Sequence, residues 1–285
     1  MLSYRHSFHA GNFADVIKHI VLVEILQSLI KKDKSFEYID THAGAGLFDL
    51  ESKHAATLAE YQNGIARLEQ AQWPELEKYF EIINSVNATG ALRIYPGSPF
   101  IARYFLRHGD KAWLYELHPA DYELLRNNLG SRFQIKVQRQ DGLKGLPGLL
   151  PPVSRRGLVL IDPSYEIKAD YEQVLASVLK AHKRFATGIY AIWYPVVQRL
   201  KITQLEAGLI KSGIRNIQRF ELAVAPDSSE RGMTAAGMIV INPPWGLLQK
   251  MMLLLPKLLA VLGDGDGFTK CEVLVAEKHV HKSEK

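Results

Sequence analysis

One cysteine, Cys271, is all that the 285 residues hold. No disulfide can close within the chain, and a cysteine-rich zinc module is excluded. A reducing, cytoplasmic setting is the simplest expectation. Long hydrophobic runs are also lacking. The most apolar one, Met251 to Leu262, is broken by Pro256 and Lys257 and is too short to span a bilayer. Met1 to Asn12 carries no apolar core of signal-peptide length, so no membrane partner is expected. Neither sign of charge dominates. Lys+Arg 35 against Asp+Glu 30 gives +5, which permits a nucleic-acid partner without requiring one. No internal repeat, low-complexity tract or heptad seam stands out, and a monomer is expected. What is present is ordinary: 47% hydrophobic and 23% charged residues, as in a soluble globular chain long enough to bury a core.

The hydrophobic pattern sketches an α/β chain. Asn12 and Asp15 mark a helix start, and apolar spacing carries that helix to Ile30. Strand-like runs follow at Phe36 to Asp40, Trp113 to Leu117, Ile135 to Val137, Gly157 to Ile161 and Ile189 to Trp193. Helical patterns separate them, which predicts a mostly parallel, doubly wound sheet. The last third adds strand-like runs at Gln218 to Val224, Gly237 to Asn242 and Cys271 to Ala276. One interval is too long. Residues 47–112 separate a glycine turn from the next strand, where ~30 residues suffice for a whole strand–helix–strand unit. The expected organisation is one domain over 1–285, with an N-terminal motif and helix over 1–35. A helical insertion is expected over 50–94, with helices at Ala55 to Leu68 and from Trp73-Pro74 to Val86.

The chemistry-bearing motifs fall at strand ends. Asp40-Thr41-His42-Ala43-Gly44-Ala45-Gly46 is a strand running into a glycine turn. It lacks the third glycine of a dinucleotide fingerprint and by itself is a tight turn. Glu116, at the end of the second long strand, is placed to grip ribose hydroxyls. Asp141-Gly142 follows the third, where a carboxylate can face the amine of an adenine; alone it reads as a plain turn. Asp162-Pro163-Ser164-Tyr165 ends the fourth. A carboxylate, a backbone carbonyl and an aromatic ring suit a planar base with an exocyclic amine. Asn242-Pro243-Pro244-Trp245 imitates that pattern but comes too late in the strand order, and is read as a turn. Ser98 and Pro99 suit a helix N-cap and first turn, leading a helix from Phe100 to Arg107. The histidines His6, His9, His19 and His42 are not read as a metal site, since Asp15 is the only acid near the first three. Basic and aromatic residues in a short arm more naturally touch a polyanion or a base.

These residues resemble the bacterial 23S ribosomal RNA adenine-N6 methyltransferase family J. The likeness rests on Tyr4-Arg5-His6-Ser7-Phe8-His9-Ala10-Gly11-Asn12 with Ala14-Asp15 and Lys18-His19, and on the 40–46 turn. Tyr95-Pro96-Gly97-Ser98-Pro99, Glu116-Leu117-His118-Pro119, Pro151 to Gly157 and Arg231-Gly232-Met233-Thr234 extend it, in order, to about Trp245. The resemblance implies a Rossmann-like class I methyltransferase sheet with an inserted helical subdomain, S-adenosylmethionine as cofactor and N6 of one adenine of 23S rRNA as target. It implies that Lys18, His19, His42, Gly44, Ser98, Glu116, Asp141, Gly142 and Asp162 line the cofactor's pocket. Asp162 is then the catalytic residue. Tyr4, Pro163 and Tyr165 meet the target nucleotide. The family's fourth motif usually reads Asp-Pro-Pro-Tyr. Here Ser164 replaces the second proline, freeing one φ angle. The RNA is expected to be protein-free or an early assembly intermediate. Two other readings stay open at this level: a DNA or protein-glutamine methyltransferase on the same fold, and a non-catalytic RNA-binding protein.

Overall fold

The computed structural model describes residues 6–167, 169–228 and 232–277. The chain's first long helix, α1 (Phe13–Ile30), is capped by Asn12, whose side chain accepts from the Asp15 amide at 3.0 Å. It is buried on nearly every face, because it lies between the sheet and three further helices. That explains an apolar pattern too broad for a surface helix.

Among the described residues, ten strands form two sheets. The strands are β1 (Glu37–Asp40), β2 (Leu47–Asp49), β3 (Ile94–Pro96), β4 (Lys111–Tyr115) and β5 (Ile135–Gln138), then β6 (Gly157–Ile161), β7 (Ile189–Val196), β8 (Ile217–Ala223), β9 (Ala235–Ile241) and β10 (Phe268–Val275). The main sheet runs β10-β8-β9-β7-β6-β1-β4-β5. Its β5-β4-β1-β6-β7 half is parallel. β9 inserts antiparallel between β7 and β8, and β10 adds antiparallel to the edge. Apolar side chains cover both faces as two cores. β6, buried at all its positions, is apolar throughout because helices lie on either side.

The register fixes where the motifs meet. Asp40 on β1 pairs with Leu114 on β4 and with Leu160 on β6. Glu116 and Asp162, two residues beyond those partners, therefore flank the end of β1 on one sheet edge. After β5 the chain returns to the other side of β1, so this edge is also the point where strand order reverses. Ligands bind at such a crevice.

The remaining helices are α2 (Lys53–Leu58), α3 (Glu77–Ser85), α4 (Ser98–Phe105), α5 (Pro119–Leu129), α6 (Gly142–Gly145), α7 (Ala169–Arg184), α8 (Arg199–Lys211) and α9 (Leu247–Leu262). Three local expectations are corrected. Ala55 to Leu68 is not one helix: α2 stops at Ala59, which has φ +49°, and short 3-10 turns follow. Gly64 breaks the run because it sits on the N-terminal segment, where a Cβ would lie 2.1 Å from the Gly11 carbonyl oxygen. Secondly, β2 and β3 pair antiparallel, Leu47 opposite Pro96, so the long interval leaves and re-enters the fold through a small ribbon. Thirdly, Ser98 does not cap α4 with its side chain. Gly97 holds the cap position, and the Ser98 hydroxyl donates to Asp40 Oδ2 at 2.7 Å.

Candidate active site

The cofactor-type features gather around one cleft of about 430 Å³ at the C-terminal edge of the parallel strands. Lys18, His19, His42, Gly44, Ser98, Glu116, Asp141, Gly142, Asp162 and Pro163 all line it. Local structure explains each placement. Gly44 takes φ +62°, a conformation that favours glycine, and its amide donates to Glu116 Oε2 at 2.8 Å. The His118 amide donates to Glu116 Oε1 at 2.6 Å. Two backbone donors thus aim this carboxylate, and burial pushes its pKa up. Asp141 caps α6 by accepting the Lys144 amide at 3.2 Å. Gly142 must be small, since a Cβ there would lie 2.2 Å from the Thr41 carbonyl oxygen. Asp40 is fully buried beneath the turn and accepts from Tyr38 and Ser98 hydroxyls, both at 2.7 Å, and from the His42 amide at 3.2 Å. Burial raises its pKa to about 6. Burial likewise lowers His42 to about 4 and His19 to about 3, so both rings are neutral at pH 7. His19 Nδ1 pairs with the Tyr95 hydroxyl at 2.8 Å.

A second cavity of about 480 Å³ adjoins the first. His6, Lys18, Asp162, Ser164 and Glu166 line both, so Asp162 stands at their junction. The second cavity has an aromatic wall of Tyr165, Tyr171 and Trp193. Tyr165 takes φ +52°, packs its ring 4.4 Å from that of Tyr171 and donates its hydroxyl to the Trp193 carbonyl at 2.8 Å. That anchor holds the Asp-Pro-Ser-Tyr turn at its far end.

The junction is built on an ion network. Lys18 Nζ lies 2.7 Å from Asp162 Oδ2 and 2.7 Å from Asp15 Oδ1. Asp15 Oδ2 is 2.8 Å from His6 Nε2 and accepts the Gly11 amide at 2.9 Å. Burial alone would lower the Lys18 pKa, but the two carboxylates reverse this and hold the ammonium charged. Burial pushes Asp162 up, and Lys18 offsets only part of that. For Asp15, burial is outweighed by His6 and Lys18, which hold it well below the usual carboxylate range.

Tyr4 lies outside the described residues, as does Arg231. The Asn242 motif lies away from the site: β9 runs antiparallel to β7, so its end points to the opposite sheet edge. There Asn242 donates to the Ala186 and Gly188 carbonyls, both at 2.8 Å, while Trp245 is 98% exposed. Sequence reasoning missed Asp15 as a partner of Lys18, although their spacing of three on a helix was visible. It also missed Trp193 and Glu60. Glu60, from the 50–94 segment, accepts from Asn12 at 2.9 Å, lies 3.0 Å from His9 Nδ1 and lines the second cavity.

The sheet order, with one antiparallel strand set before the last strand of the parallel sense, together with a glycine turn, an acid held by two backbone amides and an acid-Pro-x-aromatic turn at one edge, defines a Rossmann-like class I methyltransferase. The sequence model of the family described as "Ribosomal RNA large subunit methyltransferase D, RlmJ" matches residues 33–275. The chain is 56% identical over 258 residues to a ribosomal RNA large subunit methyltransferase J of Escherichia coli K12, covering 90% of this chain and 92% of the relative. It is 50% identical to the protein of the same name from Haemophilus influenzae Rd, covering 97% of this chain and 100% of the relative. A solved structure from Legionella pneumophila Philadelphia 1 superposes with a TM-score of 0.86 at 37% identity, covering 93% of this chain and 98% of that one. The chain belongs to this ribosomal RNA large subunit methyltransferase family.

Proposed function

We propose that the chain is an S-adenosylmethionine-dependent methyltransferase that methylates N6 of one adenine in 23S rRNA. The observation that carries the reading is Asp162 at the junction of two cavities, one suited to the cofactor and one walled by aromatic rings. The first cavity fits the cofactor's chemistry. Its volume is within the ~300–1,000 Å³ common for small-molecule sites. Glu116 would accept the ribose hydroxyls, Asp141 would face the adenine, and the Gly44 turn lets the backbone approach. The bound cofactor supplies an electrophilic methyl group on a sulfonium.

An adenine amine is a poor nucleophile, because its lone pair is delocalised into the ring. Asp162 and the Pro163 carbonyl accept its two hydrogens. This turns the lone pair out of conjugation and stabilises the positive charge that develops on nitrogen. Lys18 occupies Asp162 Oδ2, which directs the amine to the other oxygen. Lys18 is held charged between two acids, so it orients Asp162 and does not accept the proton, which the methylated nitrogen gives up to water by way of Asp162. The rest of the rate comes from holding the reacting atoms in line. The target base leaves its stack to enter the second cavity, where Tyr165 receives it. Tyr4 is assigned to the same nucleotide, and Lys201 on the cavity wall suits a phosphate. Protein-free RNA or an early assembly intermediate offers the unpaired base this requires. Both cavities are built from residues of one chain, and the reading includes action as a monomer in the cytoplasm.

Asp162→Ala is expected to abolish turnover while cofactor binding partly survives. Methyl transfer and calorimetric cofactor titration on the same preparation check this, and near-normal turnover would overturn the assignment.

A further inference from the structure

The second cavity carries an acid on its wall that the mechanism does not use. Glu60, two residues past the end of α2, lines it beside His6, His9 and Asn12 of the N-terminal segment. A carboxylate is out of place where RNA phosphates approach, unless its charge serves something else. Here the charge is committed. His9 Nδ1 lies 3.0 Å from each Glu60 oxygen, and the Asn12 side-chain amide donates to Oε2 at 2.9 Å. Asn12 is held from its other end as well, because its Oδ1 accepts the Asp15 amide at the start of α1. The Glu60 hydrogen bond raises the His9 pKa above its ordinary value. Burial pushes Glu60 up, but His9 and Asn12 outweigh it and leave the carboxyl below the usual range. The two segments meet on both sides of this pair. His54 on α2 pairs with the Ser7 hydroxyl at 3.0 Å and stacks on Phe8, ring centroids 4.4 Å apart. The Ile65 amide donates to the Gly11 carbonyl at 2.8 Å. Glu60, His9 and Asn12 line the second cavity and not the first.

We propose that Glu60 is a positioning residue for RNA binding: through His9 and Asn12 it fastens the N-terminal segment to the 50–94 segment, so that both meet the target nucleotide as one wall of the second cavity. This rests on the reading of that cavity as the nucleotide's site. A segment freed from Glu60 has to be ordered at each binding event, and that cost falls on RNA affinity. The cofactor is spared, because none of the three residues lines its cavity. The sign of the effect separates positioning from plain electrostatics. An acid that merely stands by repels phosphate, so neutralising it tightens RNA binding. An acid that positions the wall does the opposite when neutralised.

The test uses the full chain with Glu60→Gln, His9→Ala and the two combined. Glu60→Gln keeps the size and removes the charge; His9→Ala breaks the same pair from the other side. KM for protein-free 23S rRNA and kcat are measured with labelled S-adenosylmethionine at one fixed salt concentration, cofactor Kd by calorimetry, and unfolding temperature by a thermal scan. Glu60→Gln is expected to raise the RNA KM about fivefold, with kcat changing less and cofactor Kd unchanged. In the double variant the RNA KM should rise by less than the product of the two single effects, since both remove one bond. An unchanged or lowered RNA KM in Glu60→Gln would overturn the proposal, and so would single effects that simply multiply. A merely structural role would lower the unfolding temperature and weaken cofactor and RNA together, which would also overturn it. No transfer to 23S rRNA by the wild type would overturn the functional reading and this inference with it.

Discussion

Lys18 shows what a single residue owes to its surroundings. A buried lysine with no partner would lose its charge. Here Asp15 and Asp162 each stand 2.7 Å from its ammonium, and it stays charged. Asp15→Asn removes one of the two supports and leaves Lys18 less constrained beside Asp162. The expected result is a fall in kcat of roughly tenfold, about 1.4 kcal/mol, at nearly unchanged cofactor Kd. Unchanged kcat would show that Asp15 serves only the helix. A second prediction concerns pH. Burial holds His19 near 3 and His42 near 4 against an ordinary value of 6.5, so below pH 6.5 the unfolded chain binds protons that the folded chain refuses. Their contribution to stability therefore falls as pH drops from 6.5 toward 4. Asp40, raised to about 6, opposes this between its ordinary 3.8 and 6, because its folded form is the one that gains the proton. His19→Gln removes one histidine from the balance. Its unfolding temperature should drop less between pH 7.5 and 5 than that of the parent; an equal drop would contradict a buried neutral His19. Glu116, aimed by the Gly44 and His118 amides, gives a third: Glu116→Gln is expected to raise cofactor Kd roughly tenfold through loss of a charged acceptor, read by calorimetry.

At the scale of elements, strand ends were the legible part. Composition alternation and terminal acids located β1, β4, β5 and β6 to within two residues, and with them Asp40, Glu116, Asp141 and Asp162. The 50–94 segment was less legible, because its order comes from packing and not from periodicity. Gly64 breaks a helical pattern for the sake of the Gly11 backbone, and each strand of the β2–β3 ribbon is three residues long, too short for an alternation signal. Ser98 shows a local rule overridden: a serine fit to cap its helix bonds a buried carboxylate instead, since Asp40 would otherwise lose an acceptor's partner in the interior. One prediction belongs here. Gly142→Ala puts a methyl 2.2 Å from the Thr41 carbonyl oxygen, so α6 must shift away from β1. A loss of about 1–3 kcal/mol in stability is expected, with weaker cofactor binding because Asp141 moves with the helix. Denaturant unfolding beside calorimetry measures both.

Across the whole molecule, the functional pairings span distances that no sequence window contains. Lys18 meets Asp162, and Glu60 meets His9, only once the fold has brought their segments together. The N-terminal segment reaches the same junction through His6. A sequence can therefore place the acids at strand ends, while the two cavities and the ion network between them need the fold. Net charge of +5 is too small to carry RNA affinity alone. On the proposed reading, local shape and stacking at the second cavity supply recognition alongside charge. The most direct measurement is transfer of labelled methyl from S-adenosylmethionine into unmodified, protein-free 23S rRNA, followed by nucleoside analysis. The account predicts N6-methyladenosine at a single site. Label in any other nucleoside, or none despite measurable cofactor binding, would contradict it.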